Sequence, residues 1–266
     1  MENKEITVAT EKNKKITVAA LEALFAEAGE ELPALLEEYG TDERPGVKRL
    51  VAKWRKQKEK QDAEAERLEQ MLAYERKYQA YAYIAGMDEV GRGPLAGPVV
   101  TCAVILPKEC KIPYVNDSKQ LSEKKREELY DKILEVAVAV GIGEASPKRI
   151  DEINILNATY EAMRQSVANL KVQPGILLND AVKVPGITIP QVPIIKGDAK
   201  SISIAAASIV AKVTRDRKMV EYDQLYPGYG FASNKGYGSA EHIEALKELG
   251  PSPIHRRSFI HNFGNW

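Results

Sequence analysis

Residues 83–100 constrain this chain more than any other stretch: Tyr83-Ile84-Ala85-Gly86-Met87-Asp88-Glu89-Val90-Gly91-Arg92-Gly93-Pro94-Leu95-Ala96-Gly97-Pro98-Val99-Val100. An apolar strand runs into two adjacent acids, turns through Gly91, Gly93 and Gly97 around one arginine, and leaves as a second strand. Side chains alternate along a strand, so Asp88 and Glu89 diverge unless the strand ends there. An end position lets both carboxylates serve one exposed site. Glycine, with no Cβ, lets the backbone come close to a ligand. A carboxylate pair beside a loop of backbone donors predicts a metal-dependent phosphate site.

Upstream, Asn3-Lys4-Glu5-Ile6-Thr7-Val8-Ala9 is nearly repeated as Asn13-Lys14-Lys15-Ile16-Thr17-Val18-Ala19, a duplicated and loosely ordered tail in which Thr17 is placed to cap a helix. Leu21, Leu24, Phe25, Ala28, Leu32, Leu35 and Leu36 keep helical spacing to Tyr39, with breaks expected at Gly29 and Pro33. After Gly40–Gly46 the charge changes sign. Val47, Leu50, Val51 and Trp54 form an apolar stripe among Lys48, Arg49, Lys53, Arg55, Lys56, Lys58 and Lys60, in a helix extending to about Tyr78. Residues 1–78 thus form a helical N-terminal extension. Its basic face is either ordinary solvated surface or a sequence-independent phosphate contact, and so a substrate-binding accessory.

Residues 79–266 form the main domain. Strands are expected over about 83–90, 98–106, 136–143, 175–180 and 192–195, and helices over 123–134, 150–170, 202–222 and 239–249. Alternating strands and helices indicate an α/β fold. Acids end or closely follow three apolar strands: Asp88-Glu89, Asp180 and Asp198. Such strand ends open onto loops, where functional residues collect. Massed carboxylates repel and raise one another's pKa values unless a cation intervenes. Hard oxygen donors suit Mg²⁺ or Mn²⁺, and two ions about 3.5–4 Å apart support phosphodiester hydrolysis. Taken singly, each acid reads better as a cap or surface charge; the set is what points to chemistry. A dinucleotide loop at Gly91–Gly97 is the rival, but Pro98 and Val99-Val100 begin a strand where that loop needs a helix.

Lys+Arg and Asp+Glu balance at 38 each, so no global charge advertises a nucleic-acid partner, although local patches escape such a total. Cys102 and Cys110 are too few for a disulfide framework and lack zinc-ligand spacing, which indicates a reducing, cytoplasmic setting. No apolar run reaches the roughly 18 residues of a membrane span.

Met87-Asp88-Glu89-Val90-Gly91-Arg92-Gly93-Pro94-Leu95-Ala96-Gly97-Pro98 resembles the signature of bacterial ribonuclease HII. So do Asp117-Ser118-Lys119, Lys196-Gly197-Asp198-Ala199-Lys200-Ser201, the run Ala205–Lys212 and Lys235-Gly236-Tyr237-Gly238. The resemblance runs from about residue 81 to the tail, and the N-terminal unit resembles an extension on some Gram-positive members. It implies an RNase H-like mixed sheet flanked by helices, with a small helical N-terminal domain. It further implies an endoribonuclease that cuts RNA–DNA hybrids, and duplex DNA 5′ to single embedded ribonucleotides, leaving 3′-hydroxyl and 5′-phosphate ends. Asp88, Glu89, Asp180 and Asp198 become the catalytic ligands of two divalent ions, Mg²⁺ or Mn²⁺. Gly91, Arg92, Gly93 and Tyr237 become the readers of the 2′-hydroxyl, the group that separates RNA from DNA. Lys119, Lys196 and Lys235 are candidate phosphate contacts, against the plainer reading of solvent exposure. A monomer acting on nucleic acid, without a membrane partner, completes the expectation.

Asn179 departs from the family pattern, where an apolar residue precedes the third acid. Buried, it needs a hydrogen-bond partner or costs roughly 1–3 kcal/mol; otherwise it is free to orient a carboxylate. Asp117, Asp216 and Glu221 read as caps, helix or surface charges, and His242, His255 and His261 as structural. The alternatives are a hybrid-binding module without catalysis and a ribonuclease HIII-like activity. The intact acid set opposes the first. The Gly-Arg-Gly loop and Asp198 oppose the second.

Overall fold

A computed structural model describes residues 16–264. The first copy of the N-terminal repeat, the start of the second and Trp266 lie outside the described residues. The chain divides into two compact units, Met1–Arg67 and Leu68–Trp266.

In the first unit, α1 (Val18–Glu27) begins at Thr17, whose hydroxyl accepts from the Ala20 N–H at 3.1 Å. Gly29, at φ +49°, ends that run as expected. Pro33 does not break a helix; it lies in the first turn of α2 (Leu32–Glu38), where its missing N–H costs nothing. Helix α3 (Pro45–Met71) brings Val47, Leu50 and Val51 onto Leu21, Phe25, Leu32, Leu36 and Tyr39. Phe25 meets Tyr39 and Trp54 edge-on, with centroids 6.0 and 6.1 Å apart. Part of the basic run is neutralised within this unit: Lys48 pairs with Glu43, Lys53 with Glu22 and Lys58 with Asp62.

The second unit adds α4 (Ala73–Lys77), β1 (Ile84–Val90), β2 (Val99–Ile105), α5 (Glu123–Val136), β3 (Ala139–Ala145), α6 (Pro147–Ala168), β4 (Ile176–Asp180), β5 (Gln191–Ile194), α7 (Ile202–Leu225), α8 (Phe231–Asn234), α9 (Ala240–Leu249) and α10 (Arg257–Ile260). The sheet runs β3-β2-β1-β4-β5. The short glycine loop returns β2 antiparallel to β1, and β3 pairs antiparallel with β2. Longer connections bring β4 beside β1, and β5 beside β4, in parallel. Met87 lies opposite Asn179, so Asp88 and Asp180 follow at the carboxyl ends of neighbouring parallel strands.

Helices α7 and α6 cover opposite faces. A Cβ on Gly86 would stand 2.1 Å from the Ser203 carbonyl carbon of α7, and one on Gly143 1.9 Å from the Ala162 oxygen of α6. Glycine in the sheet and the small residues Ala205, Ala206 and Ala207 in α7 permit this close layering. Strand β3 begins later than expected because α5 runs on to Val136 and Val138 first bonds to the Ile105 carbonyl. It ends later because Gly143–Ala145 continue the ladder on β2. Helix α6 starts early, capped by Ser146, and is interrupted at Asn154, whose φ is +65°. Among the described residues, no helix is long and apolar enough to cross a membrane.

Candidate active site

Pairing continues through Val90, so alternation holds across the acid pair: Asp88 lies opposite Cys102, and Glu89 opposite Thr101. The expectation that the strand ends at the acids is corrected. Gly86 and Asp88 lie toward α7, while Ala85 and Met87 pack with Met163 and Val167 of α6, so Glu89 leaves the strand from the face opposite Asp88.

Asp88 is buried and accepts from the Glu89 N–H at 2.8 Å. Burial, then the charge of Glu89, raises its pKa well above the usual carboxylate value; a hydrogen bond from Ser208 opposes this and Asp180 adds to it. Burial also raises Glu89, against the pull of Arg92, whose guanidinium lies 3.3 Å from one carboxylate oxygen. The other oxygen, Oε2, is buried without a hydrogen-bond partner. Asp180 accepts from the Gly197 N–H at 2.7 Å, which ties the end of β4 to the turn bearing Asp198. Burial, followed by the charges of Asp117 and Asp180, raises Asp198. Partial burial works against the charged form of Lys119, yet Asp117, Asp88, Asp198 and Asp180 together raise its pKa. All four predicted acids thus act on one electrostatic neighbourhood, and Lys119 faces it. Asp117 does cap, accepting from the Lys119 N–H at 2.9 Å, but its charge also reaches Asp198, which the sequence did not disclose.

Among the described residues, no three acidic, histidine or cysteine side chains converge in the geometry of a metal site. The donor set nonetheless fits a divalent cation by its chemistry. It is all oxygen, Asp88, Glu89 and Asp198 are held above their ordinary pKa by burial and neighbouring carboxylates, and Glu89 Oε2 has no hydrogen-bond partner among the described residues.

The glycine loop lies beside the acids, and Tyr237 lies beside the loop: a Cβ on Gly93 would stand 4.0 Å from the tyrosine ring. Tyr237 is 44% exposed, with its ring 5.9 Å from the Arg215 guanidinium carbon. Lys196 is exposed, whereas the Lys235 ammonium turns back onto the Ala232 carbonyl. Asn179 is fully buried; its amide donates to the Val182 carbonyl at 3.1 Å and to Gln191 Oε1 at 2.9 Å. It ties β4 to the following loop and makes no bond to Asp180. His242 and His255 are buried against each other, nitrogen to nitrogen at 3.0 Å, away from the acids. Sequence reasoning missed Arg215 and Arg256, both fully buried under the glycine loop. Arg215 on α7 and Arg256 in the C-terminal tail both read as surface charges, and only the three-dimensional position of the loop carbonyls reveals otherwise.

The family model described as ribonuclease HII matches residues 85–262, spanning both the acids and the loop. The chain belongs to the ribonuclease HII family. The model of the ribonuclease HII N-terminal domain matches residues 17–79. The ribonuclease HII of Lachnoclostridium phytofermentans is 70% identical over 226 residues, covering 85% of this chain and 89% of that protein. The ribonuclease HII of Bacillus cytotoxicus is 53% identical over 247 residues, 92% of this chain and 95% of that one. Among solved structures, the ribonuclease H2 of Pyrococcus horikoshii superimposes with a TM-score of 0.56 at 29% identity, over 68% of this chain and 96% of that one. The expected family and fold are therefore borne out. The protein is a metal-dependent ribonuclease H of type 2, acting on nucleic acid.

Proposed function

We propose that the enzyme cuts duplex DNA on the 5′ side of a single embedded ribonucleotide, as well as the RNA strand of RNA–DNA hybrids, leaving a 3′-hydroxyl and a 5′-phosphate. Asp88, Glu89, Asp180 and Asp198 would hold two divalent ions, Mg²⁺ or Mn²⁺. Those ions, when bound, supply an activated water and charge neutralisation at the scissile phosphate. The chain's own residues do the rest. Gly197, through its N–H on Asp180, keeps β4 and the Asp198 turn in one register. Lys119, held protonated by the acids it faces, offers a positive charge to a phosphate oxygen. The N–H groups of the Gly91-Arg92-Gly93 loop and the Tyr237 ring address the ribose.

One observation supports this reading most strongly: Glu89 belongs electrostatically with Asp88 and Asp180, yet also bonds to Arg92 in the loop. Inspection of the sugar and placement of the phosphate are then neighbouring events. The helical N-terminal unit, through the part of its basic face not paired internally, would add sequence-independent affinity. Purified protein with Mg²⁺ or Mn²⁺ is expected to cut a duplex bearing one ribonucleotide and leave an all-DNA duplex intact. Absence of cleavage at the ribonucleotide would refute the reading, and cleavage of hybrids alone would assign a ribonuclease HIII-like activity.

A further inference from the structure

Among the described residues, Arg215 and Arg256 are the largest fully buried side chains, and neither has an acid as a hydrogen-bonding partner. Their donors go to main-chain carbonyls instead. Arg256 donates to Gly91 at 2.6 Å, Arg92 at 2.9 Å and Gly97 at 2.9 Å, while Phe259 covers its guanidinium at 5.1 Å. Arg215 donates to Pro98 at 2.9 Å, Lys235 at 2.8 Å and Ala96 at 3.1 Å. Gly91 must be glycine here: its φ is +89°, and a Cβ would lie 2.3 Å from Arg215 Nε.

The peptides of the loop are trans, so a carbonyl directed inward turns the following N–H outward. Binding the Gly91 and Arg92 carbonyls to Arg256 therefore turns the N–H groups of Arg92 and Gly93 away from the core. Both residues are exposed. A second chain of bonds reaches Tyr237. The Ser252 N–H donates to His255 Nδ1 at 3.0 Å, and His242 Nδ1 lies 2.8 Å from the Tyr237 carbonyl. A carbonyl only accepts, so the proton sits on His242 Nδ1. The neutral ring then accepts at Nε2 from His255 Nε2–H, across 3.0 Å. The direction of every bond in the chain is fixed.

We infer that Arg256, assisted by Arg215 and the His255–His242 chain, is a positioning residue for ribose discrimination: it aims the Arg92 and Gly93 N–H groups and fixes the backbone of Tyr237 beside them. The inference rests on the reading that this loop recognises the 2′-hydroxyl. Two buried cations beneath outward N–H groups also bias the loop toward an electron-rich ligand.

The test is the ratio of the inhibition constant of an all-DNA duplex to the KM of the same duplex carrying one ribonucleotide, measured by competitive cleavage with Mg²⁺. Arg256→Lys keeps the charge but not the three-pronged fork, and is expected to lower this ratio roughly tenfold, the equivalent of about one hydrogen bond. His242→Gln puts its amide near the Nε2 position and loses the bond to Tyr237, so it is expected to lower the ratio too. His242→Asn puts its amide near Nδ1, retains that bond while giving up the one to His255, and is expected to lower the ratio clearly less than His242→Gln does. This pair decides the matter even where Arg256→Lys does not fold, because a merely structural histidine would make both variants alike. An unchanged ratio in a folded Arg256→Lys, or equal ratios in the two His242 variants, overturns the inference alone. A ratio near one in the unaltered enzyme overturns the ribose reading beneath it.

Discussion

Two groups of buried like charge flank the glycine loop, and they are treated in opposite ways. The carboxylates of Asp88, Glu89 and Asp198 are held above their ordinary pKa, and Glu89 Oε2 has no partner. The guanidiniums of Arg215 and Arg256 have a carbonyl at each of three donors. Burial, and for Arg256 the charge of Arg215, pulls both down, yet the carbonyl dipoles complete their coordination. Like charge left incomplete suits the arrival of a cation, as proposed for the acids; like charge met by a carbonyl at each nitrogen suits scaffold. On the proposed function, catalysis and recognition are neighbours along a single turn.

The largest expected effect lies on the incomplete side. Asp88→Asn or Asp180→Asn should lower kcat on the order of 10³-fold or more in single-turnover cleavage. An active Asp180→Asn enzyme would remove that residue from the set. The glycine that lets α7 approach β1 sharpens the comparison from the structural side. Gly86→Ala should cost about 3 kcal/mol in urea unfolding, because its Cβ would meet backbone rather than a yielding side chain. A loss below about 1 kcal/mol would show that the layers can part freely.

The histidine chain gives a pH dependence of comparable size. Burial and the neighbouring His242 lower His255 to about 4, from an ordinary 6.5. The folded state therefore binds fewer protons than the unfolded state between those values. Stability is full above the unfolded pKa and falls as pH drops from about 6.5 toward 4. The contribution is on the order of 3 kcal/mol, and a pH series of denaturation curves should show His255→Gln losing less than the parent over that window. Smaller again, Arg49, Lys56 and Lys60 changed to Glu should raise KM several-fold with kcat unchanged, and flatten its salt dependence. Asn179→Ala should reduce stability by about 1–2 kcal/mol while leaving kcat within a few-fold, since its bonds go to Val182 and Gln191.

Much of this was legible in the residues. Strand boundaries at 84–90, 99–105 and 176–180 fall within a residue of the apolar runs, because Gly and Pro punctuate them. The acid set is visible because carboxylates following apolar strands are an uncommon pattern. The order of the sheet was not legible, since the pairing of β1 with β4 depends on contacts far apart in sequence. Nor was the role of Arg256: a motif announces the glycines of a loop, not the distant side chain that requires them. Pro33 misled for a related reason, since a proline reads the same at a break as in a first turn.

The division of labour is tested most directly by fluorescence anisotropy of Asp180→Asn with Mg²⁺, on duplexes that differ only by one 2′-hydroxyl. This variant is expected to have lost cleavage and to retain a clear preference for the ribonucleotide duplex over the all-DNA duplex. Equal affinity for the two would contradict the account, because it would place ribose recognition in the carboxylates rather than in the arginine-held loop.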